Sequence, residues 1–219
     1  MGAGRRLPRS FYERPSTGVA PDLLGRLLVR ELSGGGRLVA RIVETEAYQE
    51  DDPASHSYRG PTPRTDVMFG RPGHLYVYFT YGMHYCMNVV TGRSGEGSAV
   101  LLRSAEPVEG LAEMTRRRGT GDPQLLCSGP ARLAQAFGVA RGENGLDLVR
   151  GSDLFLLGGD PVPRSRVGRT TRVGISAGRE RPWRFVVRGD PFVSRGSSRR
   201  ESSPRESSPR GHPRSPLKD

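Results

Sequence analysis

Three polar side chains recur at every second position of the run RIVETEAY, which spans residues 41–48. They are Glu44, Glu46 and Tyr48, and because side chains alternate between the two faces of a strand, all three would share one face. Two carboxylates on one face repel each other unless a cation, a water molecule or protonation relieves them. The pattern therefore indicates acid–base catalysis or metal binding. Its plain alternative is an exposed strand glutamate paired with an arginine.

A second run, LYVYFTYGMHYCMNVV over residues 75–90, is rich in tyrosine and β-branched residues. Leucine, valine and phenylalanine fill the odd positions at its start, as core residues would, and Tyr76 and Tyr78 fall on the other face. Together with Tyr48 and His56, these tyrosines could form a slot in which a planar ring stacks beside a carboxylate. The alternative is that they only cover the second side of the sheet.

The dipeptide Tyr81-Gly82 interrupts this alternation and predicts a turn that presents Tyr81 outward. An exposed aromatic side chain can wedge into a DNA duplex and fill the space of an extruded nucleotide. The alternative is a turn tyrosine that packs on its own hairpin.

An oxygen-rich magnesium site is another possible use of the acidic residues. Its ligands would be Glu44, Glu46, Asp51, Asp52 and His56. Their spacing matches no specific metal motif, and the run Asp-Asp-Pro is typical of a turn. We therefore predict no metal ion and no cofactor.

Arginine dominates the charge of this chain of 219 residues, whose net charge is +11. Of its 34 basic residues only Lys218 is lysine, so residues 1–195 offer no side-chain amine for a Schiff base. The excess favours a polyanionic partner, most simply nucleic acid. Residues 196–219 are rich in Ser, Pro and Arg, carry +3 and predict a disordered tail. Residues 1–195 keep +8 and fit one domain.

The two cysteines, Cys86 and Cys127, lie far apart without the spacing of a zinc site, which favours a reducing compartment. The basic N-terminus has no following apolar run and is not a secretory signal. No stretch approaches the ~20 apolar residues of a membrane span. We expect no contact with a membrane.

Short strand patterns cluster along the chain instead of alternating regularly with helices, which favours α+β over a doubly wound fold. LLVREL and RLVARIVETEAY flank the turn SGGG and predict a hairpin whose second arm carries the glutamates. Residues 49–74 predict a long loop, which in a compact domain is usually functional or disordered. Further strand patterns are LYVYFTYGMHYCMNVV, AVLLR, DLFLL, RVGIS and WRFVVRG. We expect a single domain with a mainly antiparallel curved β-sheet flanked by helices.

Three segments carry helix patterns. PDLLGRLL begins at Pro21, a residue type favoured early in helices. Residues 107–118 predict a helix with Leu111 and Met114 facing inward. ARLAQAF predicts a helix capped by Ser128 and ended by the following glycine.

Taken together, these runs resemble the alkyladenine (3-methyladenine) DNA glycosylase family. The matching segments extend over roughly residues 11–195 and are RIVETEAY, ASHS, GHLYVYFTYGMHYCMN, VLLRSAEPVEG, LCSGPARL and RFVVRGDPFVS. The resemblance implies an enzyme of base excision repair that hydrolyses the N-glycosidic bond of an alkylated or deaminated purine. Because residues 1–195 contain no lysine amine, we further predict that the enzyme is monofunctional and leaves an intact abasic site.

The resemblance also assigns roles to single residues. Glu46 matches the general base that activates the attacking water, and Arg103 matches an arginine of the polar network around it. Asn88 matches an amide that clashes with the 2-amino group of guanine, and Tyr81 matches the side chain that intercalates into DNA. The base would be enclosed by Tyr48, His56 and Tyr78. The loop from Tyr48 to His56 is one residue shorter than is usual in the family.

Two rival functions remain at this stage. The acidic cluster could serve a metal-dependent nuclease or phosphoesterase, and the basic chain could be a nucleic-acid-binding module without catalysis. The glycosylase interpretation implies damaged double-stranded DNA as the partner and a monomer. It places the protein in the cytoplasm near the nucleoid of a bacterium, or in the nucleus of a eukaryote.

Overall fold

The computed structural model describes residues 4–80 and 82–194. Within these residues, eight strands form one sheet in which every pairing of neighbours is antiparallel. The strands are β1 Leu27–Glu31, β2 Arg37–Tyr48, β3 Leu75–Thr80, β4 His84–Val90, β5 Ala99–Glu109, β6 Leu154–Leu157, β7 Val167–Thr170 and β8 Arg184–Val187. Their order is β3-β4-β5-β2-β1-β6, and β8 pairs with both β2 and β7. The predicted α+β fold with a mainly antiparallel sheet is confirmed.

The described residues also form five α-helices and three short 3-10 helices. The α-helices are α1 Arg9–Tyr12, α2 Ser16–Asp22, α3 Leu111–Arg118, α4 Pro123–Leu126 and α5 Pro130–Phe137. The 3-10 helices are Asp66–Phe69, Arg141–Glu143 and Arg164–Arg166. Helix α5 packs against β4 and β5, and α3 packs against α5. In the described part of the chain, no helix combines the length and the apolar character that crossing a bilayer requires.

Strand alternation gives β3, β4 and β5 two different faces. One face belongs to the main hydrophobic core and carries Leu75, Val77, Met87, Val89, Val100 and Leu102. The opposite face lines a cavity and carries Tyr76, Tyr78, Cys86, Asn88, Leu101 and Arg103. The apolar face fixes these strands against the helices, and the other face is thereby free to hold polar and aromatic side chains.

Strand β2 lies at the junction of the sheet. One of its edges pairs with β5, and the other pairs first with β1 over residues 37–41 and then with β8 over residues 44–46. The register with β5 shifts on both sides of Glu44. Such irregularities bend a strand and re-aim its side chains. The change of partner therefore occurs where the two glutamates lie.

The helix predicted to begin at Pro21 is wrong. Helix α2 already ends at Asp22, with Pro21 inside it. Gly25 then adopts a φ of 82°, a left-handed conformation that glycine tolerates and that ends a right-handed helix. The chain turns there, and the leucines that suggested a helix continue into β1.

The helix predicted over residues 107–118 begins later, at Leu111. Residues 107–109 instead extend β5, and Gly110 separates strand from helix with a φ of 79°. Met114 is fully buried as expected, but Leu111 is 38% exposed, so its inward orientation is wrong.

The predicted helix ARLAQAF is confirmed as α5, but its predicted cap is wrong. Gly129 is the residue that precedes the helix, and no side chain caps it. The Ser128 hydroxyl instead accepts a hydrogen bond of 3.0 Å from Nη1 of Arg132.

Two strand predictions also need correction. RVGIS forms no strand: β7 ends at Thr170, and Gly174 has a φ of 79° that breaks an extended chain. Phe79 is 50% exposed, so the apolar face of β3 is core only at its first two odd positions. The last residues of β3 lie beyond the edge of the core, next to the β3–β4 hairpin turn.

Candidate active site

A cavity of about 610 Å³ lies on the polar face of the sheet. Its floor comes from β2, β3, β4 and β5. Its walls come from four other segments, which are the loop residues 53–56, Met68 of the 3-10 helix Asp66–Phe69, the start of α5 at residues 130–131, and residues 173–176. This volume is within the range of small-molecule pockets in proteins.

Glu46 is the carboxylate of this cavity, and its side chain is buried. Its Oε1 accepts a hydrogen bond of 2.8 Å from the backbone N–H of Val173, and its Oε2 accepts one of 2.9 Å from the Tyr48 hydroxyl. Nη1 of Arg103 lies 3.6 Å from Oε1. Donors on both oxygens fix the orientation of the carboxylate.

Glu44 lies two residues away and has quite different contacts. Its Oε1 lies 2.6 Å from Nε of Arg184 and 2.9 Å from Nε of Arg103, and its Oε2 accepts 2.8 Å from the backbone N–H of Ser194. The Arg103 N–H is not aligned for a hydrogen bond, so that contact is an ion pair only. Arg103 thus lies between the two glutamates and offsets their mutual repulsion.

Tyrosine hydroxyls of this cavity stay protonated. Burial raises the pKa of Tyr48 well above its usual value, and the neighbouring Glu46 carboxylate raises it further. Burial likewise raises the pKa of Tyr78, with the facing Cys86 adding to the effect. Tyr48 can therefore donate to Glu46 at any physiological pH.

An aromatic cluster of His56, Tyr76 and Tyr78 forms another part of the cavity lining. The rings of His56 and Tyr78 pack edge to face, with centroids 4.5 Å apart at 81°, and Nδ1 of His56 lies 3.0 Å from the Tyr76 hydroxyl. Partial burial and the nearby Arg64 cation lower the pKa of His56, although the residue as a whole is exposed to solvent. Both effects favour the neutral imidazole.

Asn88 extends into the same cavity from β4. Its Nδ2 donates a hydrogen bond of 3.1 Å to the carbonyl of Tyr76, its partner across the β3–β4 pair. The amide is buried and cannot rotate freely without losing that bond. A fixed amide at a cavity floor can discriminate between ligands by shape.

The cavity brings together six residues that the sequence singled out, namely Glu46, Tyr48, His56, Tyr78, Asn88 and Arg103. The shorter loop does not remove His56 from it. Tyr81 lies outside the described residues. So do residue 195 and the predicted tail of residues 196–219.

Sequence reasoning missed two contributors to the site. Val173 supplies the N–H on Glu46, and Arg172 beside it pairs with Asp52. Both lie in the segment interpreted as a strand. Gly174 was the available signal, because a glycine inside a strand pattern often marks a bend or a close approach.

The acidic residues proposed as magnesium ligands do not converge. Glu44 pairs with arginines, Asp52 pairs with Arg172, and Asp51 is largely exposed near Arg181. Among residues 4–80 and 82–194 there is no group of three His, Cys, Asp or Glu side chains placed to hold a metal ion.

The arrangement suits one type of chemistry. Aromatic side chains can sandwich a planar ring, and a fixed carboxylate beside that ring can accept a proton from water. The adjacent arginine can stabilise negative charge on the carboxylate or hold an anionic group of a ligand.

Comparison with known proteins adds independent information. A family model described as methylpurine-DNA glycosylase matches residues 10–191. A protein of Carboxydothermus hydrogenoformans named "Putative 3-methyladenine DNA glycosylase" is 50% identical over 189 residues, which cover 86% of this chain and 98% of that protein. Proteins of the same name from Streptomyces avermitilis and Methanoculleus marisnigri are 51% and 50% identical, over 86% of this chain and 90% and 98% of their own lengths.

Proposed function

Because this chain belongs to the methylpurine-DNA glycosylase family and is a DNA glycosylase, we propose that it releases damaged purines by attack of a water molecule activated by Glu46. The observation that carries this proposal is the buried Glu46 carboxylate, oriented by donors on both oxygens at the floor of an aromatic cavity. Hydrolysis of an N-glycosidic bond passes through a sugar with oxocarbenium character. A carboxylate beside that cation stabilises it and takes the proton of the attacking water.

The base reaches this carboxylate only after its nucleotide leaves the duplex. We propose that Tyr48, His56 and Tyr78 enclose the extruded base and that Tyr81 fills the space it leaves. Alkylated purines such as 3-methyladenine and 7-methylguanine carry positive charge. A cation gains up to about 2 kcal/mol on a desolvated aromatic face, so these bases are favoured over normal ones.

Neutral lesions such as hypoxanthine and ethenoadenine belong to the same proposed substrate class. For them selectivity rests on the ease of extrusion and on fit. The Asn88 amide, held by its bond to Tyr76, is proposed to exclude the 2-amino group of unmodified guanine. Arg103 is proposed to belong to the polar network around Glu46 and the attacking water, and its ion pair with Glu44 holds the arginine in place.

We further propose that the enzyme is a monofunctional monomer. A lyase step on the abasic sugar generally uses an amine nucleophile, and the only lysine of the sequence is Lys218. The product is then an abasic site in an uncut strand.

The test uses a duplex oligonucleotide with one ethenoadenine or hypoxanthine, incubated in EDTA, with hot alkali added to half of each sample. Cleavage only after alkali is the expected result. Cleavage without alkali would reveal a lyase, and a requirement for added magnesium would favour a nuclease.

The matched variant is Glu46→Gln, which keeps the shape of the side chain and removes its basicity. We expect base release to fall by at least about 10²-fold, the usual contribution of a general base, with binding to damaged DNA retained. Release at the wild-type rate would contradict the role of Glu46. If the wild-type protein bound these duplexes but released no base from them or from methylated DNA, it would be a binding module without catalysis.

A further inference from the structure

Arg172 is a buried cation beside the cavity that does not itself line it. Its side chain has 0% exposure, and it follows β7 and directly precedes Val173. Burying a guanidinium costs free energy unless its charge is offset and most of its donors are hydrogen-bonded, and here both terminal nitrogens are bonded while Nε is not. Its partners therefore show what it holds in place.

Each of its terminal nitrogens has two acceptors. Nη1 and Nη2 bind the two oxygens of Asp52 in a fork, with Nη2 2.9 Å from Oδ1. Nη1 also donates 2.9 Å to the carbonyl of Ala47, and Nη2 donates 3.2 Å to the carbonyl of Gly178. The guanidinium thereby joins three separate stretches of chain.

The same guanidinium lies over the ring of Tyr48, with 4.7 Å from its carbon to the ring centroid. Tyr48 lines the cavity and Arg172 does not. Arg172 thus supports a side chain of the cavity lining through a cation–π contact.

Both hydrogen-bond donors of Glu46 depend on this support. One is the hydroxyl of Tyr48, whose ring rests on Arg172. The other is the backbone N–H of Val173, the residue next to Arg172. A small displacement of the guanidinium would move the two donors together.

Asp52, the carboxylate that binds Arg172, belongs to the loop that carries His56. Asp52 accepts from the backbone N–H of Ala54 through Oδ1 at 3.1 Å, and its carbonyl accepts from Ser55 at 2.8 Å. These bonds close the turn that ends at His56. The carboxylate side and the aromatic side of the cavity are therefore joined through one ion pair.

We propose that Arg172 is a positioning residue for base release, acting through Tyr48 and Val173 on Glu46 and through Asp52 on the His56 turn. This inference rests on the proposed function of the cavity. Arg172 touches neither the base nor the water, and its effect is on the geometry of the groups that do.

The test compares Arg172→Lys with wild type in single-turnover base release from an ethenoadenine duplex at saturating enzyme. Lysine keeps the charge but lacks the planar fork and the stacking face. We expect the rate to fall by about 10²-fold, as for a misplacement near 1 Å at a reacting centre. Affinity for the same duplex should change only a few-fold, because contacts to the DNA backbone dominate it.

The matched control is Arg9→Lys. Arg9 also binds an aspartate in a partly buried pair, with Nη2 2.6 Å from Oδ2 of Asp147, and it does not line the cavity. Both variants should lower the melting temperature, but only Arg172→Lys should lower the rate at a temperature where all proteins are folded. A structural role alone would leave the rate of the folded protein unchanged.

Asp52→Asn provides a second variant, which keeps Arg172 and weakens the fork. It should also lower the rate of base release while the affinity for the duplex is retained. If Arg172→Lys does not fold, Asp52→Asn alone tests the proposed role of the ion pair. Wild-type rates in the folded variants would overturn the inference while leaving the proposed function intact. An inert wild-type protein would instead overturn the proposed function, and the inference with it.

Discussion

Glu44 and Glu46 are the same residue type on the same strand, and both have 0% exposure. They differ in their partners. Glu46 receives two uncharged donors and has an arginine at 3.6 Å, whereas Glu44 has two arginines within 2.9 Å and a backbone N–H. Glu44 is thus held in a closed structural network, and Glu46 faces the cavity.

This contrast makes Glu44→Gln a strongly destabilising change. It removes the charge that offsets Arg103 and Arg184, and breaking a buried ion pair on one side costs about 3–5 kcal/mol. At roughly 2–4 °C for each kcal/mol, the melting temperature should fall by about 6–20 °C. Thermal unfolding followed by circular dichroism measures it.

The control for that change is Glu109→Gln. Glu109 pairs with Arg37 on the surface, and both side chains are about half exposed. An exposed pair contributes about 0–1 kcal/mol, so the melting temperature should hardly change. Equal losses in the two variants would contradict the buried network.

At the scale of single residues, the sequence predicted which side chains meet at the cavity better than it predicted their partners. The spacing of Glu44, Glu46 and Tyr48 indicated that a cation, a water molecule or protonation had to relieve the carboxylates. It did not show which of these applies, because the cation Arg184 lies 140 residues further along the chain than Glu44. Pairing over such a distance is decided by strand order, which residue types do not reveal.

The loop of residues 49–74 forms part of the cavity wall. Hydrogen bonds to the backbone of Gly97 hold this loop in place. The Ser57 hydroxyl donates 2.6 Å to the carbonyl of Gly97, and the N–H of Gly97 donates 3.1 Å to the Glu50 carboxylate. A Cβ at Gly97 would lie 2.4 Å from Cβ of Ser57 and 2.8 Å from the Phe69 ring. Only glycine allows this approach.

Gly97→Ala should therefore displace the loop next to His56. Overpacking of this kind costs about 1–3 kcal/mol. We expect a lower melting temperature together with slower base release, because the loop residues that line the cavity move. The melting temperature and the rate of base release are measured on the same preparation.

Gly121→Ala is the control for the methyl group itself. Nothing lies within 4 Å of a Cβ at Gly121, so stability and base release should both stay near wild type. If Gly97→Ala also left release unchanged, the loop would not set the geometry of the cavity.

At the scale of elements, prediction succeeded where the local sequence pattern is compatible with only one secondary structure. Period-two alternation on both sides of SGGG predicted β1 and β2 with their bounds within about a residue. RVGIS has a similar β-branched composition, yet it covers the cavity as a loop. Its conformation is set by Arg172 and by the bond from Val173 to Glu46, which are tertiary contacts that composition does not contain.

At the scale of the whole molecule, the positive net charge favours association with DNA. The chain carries +11, and residues 196–219 contribute +3 of it. Within residues 4–80 and 82–194, the residues that line the cavity lie between Glu46 and Ser176. Deleting residues 196–219 therefore tests whether binding to the DNA backbone can be separated from chemistry on the base.

We predict that a chain ending at residue 195 releases base at the wild-type rate when the enzyme is saturating, but binds undamaged duplex less tightly at low salt. The logarithm of the affinity falls linearly with the logarithm of the salt concentration, and each phosphate that the protein neutralises makes this slope steeper by about 0.9. Deletion should therefore make the slope shallower by about that amount for each phosphate that the deleted segment had neutralised. Titrations between 50 and 200 mM salt, about the range over which such binding changes most, measure it. A full-length variant with the six basic residues of this segment changed to glutamine is the matched control, because it keeps the length and removes the charge. If deletion slowed release at saturation while the glutamine variant did not, the segment would act on the cavity itself, and attraction to phosphate would not account for its effect.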